Sequence, residues 1–183
     1  MRWINKIIVH CTDTPFGKDF SAEDVDRWHK EKGWRKIGYH YLIRLDGRIE
    51  KGRSESEVGA HCLGQNLHSI GVCYVGGRDK NGNFADTRTE AQKESMNILL
   101  YGLVHKYKCQ VFGHRDFAKR ACPCFDAKSE YYYLYDDLRK ALLDVALLGA
   151  GCPRRAGIPR VFFIVFCLAK PLASERPSKK VSV

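Results

Sequence analysis

His10 closes an apolar run, and Gly113-His114-Arg115-Asp116 and Ala121-Cys122-Pro123 follow a hundred residues later. Two imidazoles and one thiolate make three ligands, and a zinc ion held by three protein ligands keeps a fourth position open for water. That is the stoichiometry of a catalytic site. A structural zinc site closes its tetrahedron with four protein ligands, commonly in close CxxC pairs, and none of the eight cysteines has that spacing. A metal-free alternative uses Cys122 as a nucleophile with His114 as its base, but it leaves His10 without a part. Taken singly, each residue is better read as a buried histidine or an inert cysteine. Only the combination points to zinc.

Several elements must position these side chains. Ile4-Asn5-Lys6-Ile7-Ile8-Val9-His10 is too short for an ordinary helix and rich in β-branched residues, so it predicts a buried strand. Ser21 with Asp24 resembles a capping box, and Val25, Trp28 and His29 give one face of a helix ending near Gly33. Tyr39 to Arg44 alternates, and Asp46-Gly47 is a two-residue hairpin signal leading to Arg48-Ile49-Glu50. Ser69 to Tyr74 predicts another strand, stopped by Gly76-Gly77, with an exposed loop over Arg78 to Asp86. Ala91, Ile98, Leu99, Leu103 and Val104 mark a helical face between Thr89 and Lys106; Cys109 to Phe112 returns as a strand, and Lys128 to about Leu148 is a last helix. The alternation implies a single α/β domain with a central mixed β-sheet flanked by helices.

If the strands ending at His10 and Phe112 are adjacent and parallel, both histidines leave the same sheet edge, where ligand crevices of open α/β sheets form. Cys122 then reaches back through a folded loop. The Cys122-Pro123-Cys124 run leaves either sulfur geometrically available as a ligand. Cys11 should face away from His10 across the strand. Cys11, His40 and Cys124 are therefore read as packing or supporting residues.

The chain has 183 residues, 44% hydrophobic and 28% charged, which is ordinary for one globular domain. Its formal charge of +10 is uneven: residues 1–148 carry +4, whereas residues 149–183 carry seven basic residues against Glu175 alone. Zinc-finger spacing and an aromatic-basic motif are lacking, so no specific nucleic-acid partner is expected. No signal-peptide pattern precedes the first strand, which predicts synthesis in the cytoplasm with reduced thiols. Cys73 and Cys109 then read as small buried hydrophobes. Residues 149–183 form a basic, proline-containing C-terminal extension holding four of the six prolines and the apolar run Val161 to Ala169. That run could be a strand packed on the domain, a membrane-adsorbing segment, or an extension with no evolved role. It is too short for a transmembrane helix, which needs about 20 residues. No oligomer is indicated, so a monomer is expected.

Six motifs occur in order: Ile8-Val9-His10-Cys11-Thr12-Asp13, Gly38-Tyr39-His40-Tyr41-Leu42-Ile43, Gly59-Ala60-His61, Ser69-Ile70-Gly71-Val72, Gly113-His114-Arg115-Asp116 and Ala121-Cys122-Pro123. The series resembles the zinc-dependent N-acetylmuramoyl-L-alanine amidases, in the branch with phage lysozyme-type endolysins and peptidoglycan-recognition proteins. The resemblance covers roughly residues 4 to 146, making residues 1–148 the amidase domain. It implies His10, His114 and Cys122 as zinc ligands, Tyr39 as a catalytic tyrosine near the metal, and His61 in a substrate-groove motif, for which the competing reading is a solvated surface histidine. Arg120 falls where the phage enzymes usually carry a catalytic lysine. An arginine donates hydrogen bonds to an oxyanion but shuttles protons poorly.

The implied reaction is hydrolysis of the amide between N-acetylmuramic acid and the L-alanine of the stem peptide. The implied partner is peptidoglycan or a muropeptide, and the implied place of action is the cell wall. Some proteins resembling this family only bind, having lost a zinc ligand. All three positions are filled here, which ranks hydrolysis above a non-catalytic binding module. No glutamate in a matched motif stands out as general base, and Glu50 and Glu55 read as surface charges.

Overall fold

Strand β1 (Lys6–Cys11) is an interior strand of the sheet, with Ile7, Ile8 and Val9 giving it apolar side chains on both faces, and five of its six residues are buried. The structure, a computed structural model, describes residues 2–150. The expected extension after Leu148, with the run Val161 to Ala169, lies outside the described residues apart from its first two. Along the chain follow α1 (Ala22–Glu31), β2 (Tyr41–Ile43), β3 (Ile49–Lys51), β4 (Ser69–Tyr74), α2 (Glu90–Tyr107), β5 (Gln110–Gly113), α3 (Ala127–Glu130) and α4 (Tyr132–Ala150). The sheet order is β3-β2-β4-β1-β5. β1 is parallel to both β4 and β5, β2 is parallel to β4, and β2 and β3 are antiparallel. This is the α/β domain with a mixed central sheet that the sequence predicts.

Strand period two sorts the side chains. Ile7, Val9, Cys11, Ile70, Val72, Tyr74 and Val111 share one core with Met96, Leu100, Leu103 and Val104 of α2 and Leu134 and Leu138 of α4. On the other face Leu42, Cys73 and Val75 pack with Val25 of α1 and Ile37. His10 is the register partner of Cys73 and takes this second face, while Cys11 takes the first.

Ser21 and Asp24 form the expected capping box of α1, whose buried residues are Val25 and His29. The hairpin is present, but its loop differs. Gly47 alone has φ > 0, its amide donates to Arg44 O, and Arg44 N–H donates to Arg48 O. The loop therefore has three residues and closes on a left-handed glycine, because a two-residue type I′ turn needs positive φ at both central positions. On α2 the buried stripe is Gln92, Met96, Leu100, Leu103 and Val104, and Ile98 is 64% exposed. Gln92 belongs in that stripe because its amide donates to Ile43 O and Val75 O, and its Oε1 accepts the Thr89 N–H as a cap. The last expected helix breaks at Tyr131 into α3 and α4. No helix among the described residues is long and apolar enough to cross a membrane.

Candidate metal centre

β1 and β5 lie side by side with Val9 opposite Gly113. Their next residues, His10 and His114, therefore leave the same carboxyl edge, with ring centroids 4.6 Å apart. Asp116 accepts the Gly113 N–H at 2.8 Å and shapes the 3-10 turn His114–Asp116. Cys122 is drawn back by Arg115 N–H donating to its carbonyl and by Tyr74 O–H donating to Pro123 O. Arg88, stacked 3.3 Å over Phe125 and paired to Asp86 and Glu130, anchors the far end of this loop. A Cβ on Gly113 would meet Pro123 Cδ at 2.8 Å, so only glycine admits the loop this closely.

Nitrogen and sulfur donors of His10, His114 and Cys122 all lie within 4.8 Å of one another. His10 Nδ1 is 3.8 Å from Cys122 Sγ. Zinc bonds to nitrogen and sulfur at a tetrahedral angle separate those donors by about 3.6 Å. The donor set thus fits zinc in type, and the His10–Cys122 pair fits it in spacing. His10 is 1% exposed, whereas His114 and Cys122 are half-buried, so the site opens on their side. Cys124 is not in this group: its sulfur turns to Gly77 O at 3.4 Å and Cys11 Sγ at 3.8 Å.

Behind His10 runs a chain of hydrogen bonds. His10 Nε2 is 3.0 Å from His61 Nδ1, His61 Nε2 is 3.3 Å from Ser69 Oγ, and the Ser69 hydroxyl donates to Gln65 O at 2.8 Å. One proton assignment satisfies every member. With the Nδ1 lone pair of His10 facing Cys122, Nε2–H donates to His61, whose own Nε2–H donates to Ser69. The His61 ring sits in a slot between two glycines, since a Cβ on Gly59 or Gly71 would come within 2.4 or 2.6 Å of its Cδ2. Asn66 Oδ1 fixes the backbone there by accepting the His61 and Cys62 amides. His61 is therefore not a solvated surface residue: it is 7% exposed and lies against His10. Ser69 and the two glycines escaped the sequence reading as parts of the site, although both flanking motifs contain them.

Burial holds the imidazoles neutral, the form that binds metal. It places the pKa of His10 well below its usual range, helped by neighbouring His61 and His114. Burial, followed by the nearby His40, brings His61 down to about 3. His114 is lowered by burial and then by the charge of Arg120. Arg120 itself is exposed on the loop two residues before Cys122. The Tyr39 ring centroid is 5.2 Å from that of His10. Burial, then the nearby Cys73, raises its phenol well above the ordinary range, so the O–H stays protonated. Glu50 and Glu55 are not free surface charges. Glu50 accepts the Ala22 amide and pairs with Arg44, while Glu55 accepts from Tyr41, Tyr107 and Lys106.

A mixed α/β sheet carrying two histidines and a cysteine at its carboxyl edge defines the class: an α/β protein with a candidate single-metal site. The profile of the N-acetylmuramoyl-L-alanine amidase family matches residues 1–125, and the chain belongs to that family. It is 46% identical over 123 residues to the endolysin of Enterobacteria phage T3 and 45% identical over 123 residues to that of Escherichia phage T7. Each match covers 67% of this chain and 82% of the relative. Among solved structures, the N-acetylmuramoyl-L-alanine amidase LysC from Clostridium intestinale URNW superposes with a TM-score of 0.62 at 31% identity, covering 75% of this chain and 87% of that one.

Proposed function

We propose that this protein is a zinc-dependent hydrolase that cleaves the amide between N-acetylmuramic acid and L-alanine in peptidoglycan, acting on the cell wall as an endolysin does. The observation that carries this reading is the convergence of His10, His114 and Cys122 donor atoms within 4.8 Å in a chain of the amidase family. These three residues would hold the ion. Bound there, zinc would supply Lewis acidity, polarising the scissile carbonyl and providing a nucleophile from water at neutral pH.

The other residues work around that centre. Tyr39, kept protonated by burial, donates its O–H toward the oxyanion that develops as the amide carbon becomes tetrahedral. Arg120 on the exposed rim donates from its guanidinium to the same charge. His61 is assigned a positioning role rather than contact with substrate, because its ring is spent between His10 and Ser69. Through that bond it fixes the His10 ring and its tautomer. Replacing His61 by alanine is expected to weaken zinc affinity roughly 10- to 100-fold, the usual cost of losing such a partner. Competition with a chelator of known affinity measures this, and an unchanged affinity would end the positioning role.

The test of the function is release of stem peptides with a free L-alanine amino terminus from purified peptidoglycan. About one zinc per chain is expected, with cleavage lost on chelation and recovered on adding zinc. Full cleavage after metal removal would overturn the mechanism in favour of a Cys122 nucleophile. Stoichiometric zinc without cleavage would reduce the protein to a binding module.

A further inference from the structure

Beside the metal site, on the opposite face of β1, two further sulfurs meet. Cys11 Sγ and Cys124 Sγ lie 3.8 Å apart although the residues are 113 positions apart in the chain. We propose that Cys11 and Cys124 are a disulfide-forming pair, a modification site that ties strand β1 to the loop carrying Cys122.

Three features of the geometry support the pair. Cys11 projects from β1 away from His10, so a bond at its sulfur leaves the His10 ring and its partners in place. Cys124 has φ +73, a left-handed conformation that non-glycine residues seldom adopt, and its sulfur points back over the strand end. Gly77 makes the space for both sulfurs: a Cβ there would come 2.7 Å from Cys11 Sγ, and its carbonyl contacts Cys124 Sγ at 3.4 Å. The competing sulfur is that of Cys122, which accepts the Cys11 N–H at 3.3 Å. On the zinc reading proposed above, Cys122 would be engaged with the metal, which leaves Cys11 and Cys124 as the pair to join. To reach the ~2.05 Å of a disulfide, the two sulfurs must close by about 1.8 Å.

The oxidant is a small-molecule disulfide. Cys124, half-buried, is the point of entry, since Cys11 is 4% exposed. The Cys124 thiolate attacks one sulfur of the oxidant, breaking its S–S bond and expelling a thiolate. The Cys11 thiolate then attacks Cys124 Sγ in the mixed disulfide and expels the second. Two protein thiols become one disulfide, the oxidant is reduced to two small thiols, and both protons pass to the leaving thiolates. The new bond closes a very long loop, which restricts the unfolded chain strongly.

The test incubates the full chain, in the presence of zinc, with oxidised glutathione, followed by peptide mapping without reductant. The expected result is a peptide joining Cys11 to Cys124, together with a rise of roughly 10 °C in the thermal midpoint that a reductant reverses. The rise should be missing in Cys124→Ser and, as a second variant, in Cys11→Ala. A map that links Cys122 to either residue, shows no link between Cys11 and Cys124, or gives Cys124→Ser the same thermal rise would overturn the proposal.

Discussion

Cys122→Ser is expected to lose bound zinc and to cut peptidoglycan hydrolysis by a thousandfold or more. A serine hydroxyl is a poor ligand for zinc at neutral pH, and the ion is worth several kcal/mol of charge stabilisation, which corresponds to on the order of a thousandfold in rate. The fold should survive, because Cys122 Sγ accepts a single backbone amide, that of Cys11, and a hydroxyl can take its place. This variant alone does not separate a zinc ligand from a thiol nucleophile. His114→Ala and His10→Ala complete the experiment: all three should lower zinc content and activity together. In the nucleophile mechanism His10 has no part, so a His10 variant that folds and keeps full turnover would sink the zinc assignment. Metal analysis beside circular dichroism distinguishes loss of zinc from loss of structure, which matters most for His10 at 1% exposure.

Tyr39→Phe is expected to lower turnover about a hundredfold while leaving zinc content and substrate affinity near their starting values. The magnitude is that of one hydrogen-bond donor to a developing oxyanion. The ring stays, so its packing beside His10 and in the cluster of Val25, Leu42 and Cys73 stays with it. Only the O–H is removed. The phenol titrates well above its ordinary range because it is buried, so the hydroxyl is a donor across the neutral range. Steady-state kinetics decides the matter: a fall in kcat with KM unchanged assigns the hydroxyl to the transition state, whereas equal activity removes Tyr39 from the mechanism.

Much of this protein was legible in local patterns. The apolar runs ending at His10, Tyr74 and Phe112 are strands within one or two residues, and Ser21 with Asp24 starts a helix as a capping box should. Other patterns misled. Ile98 reads as a core residue by type but lies outside the stripe that faces the sheet, while the polar Gln92 lies inside it because two strand carbonyls need its amide. Asp46-Gly47 announced the hairpin correctly but not its loop length, which the backbone conformation of Gly47 sets.

The sequence by itself determined the element types, the two histidines and cysteine that could hold zinc, and the α/β class, since these depend on side-chain chemistry and on periods of two and 3.6 residues. Tertiary structure alone decided two things: that His61 braces His10 from behind and that Cys11 meets Cys124. The reason is strand register. Contacts between residues 51 to 113 positions apart follow from which strand lies beside which, and a slip of one residue in β1 would turn His10 and Cys11 to the opposite faces of the sheet.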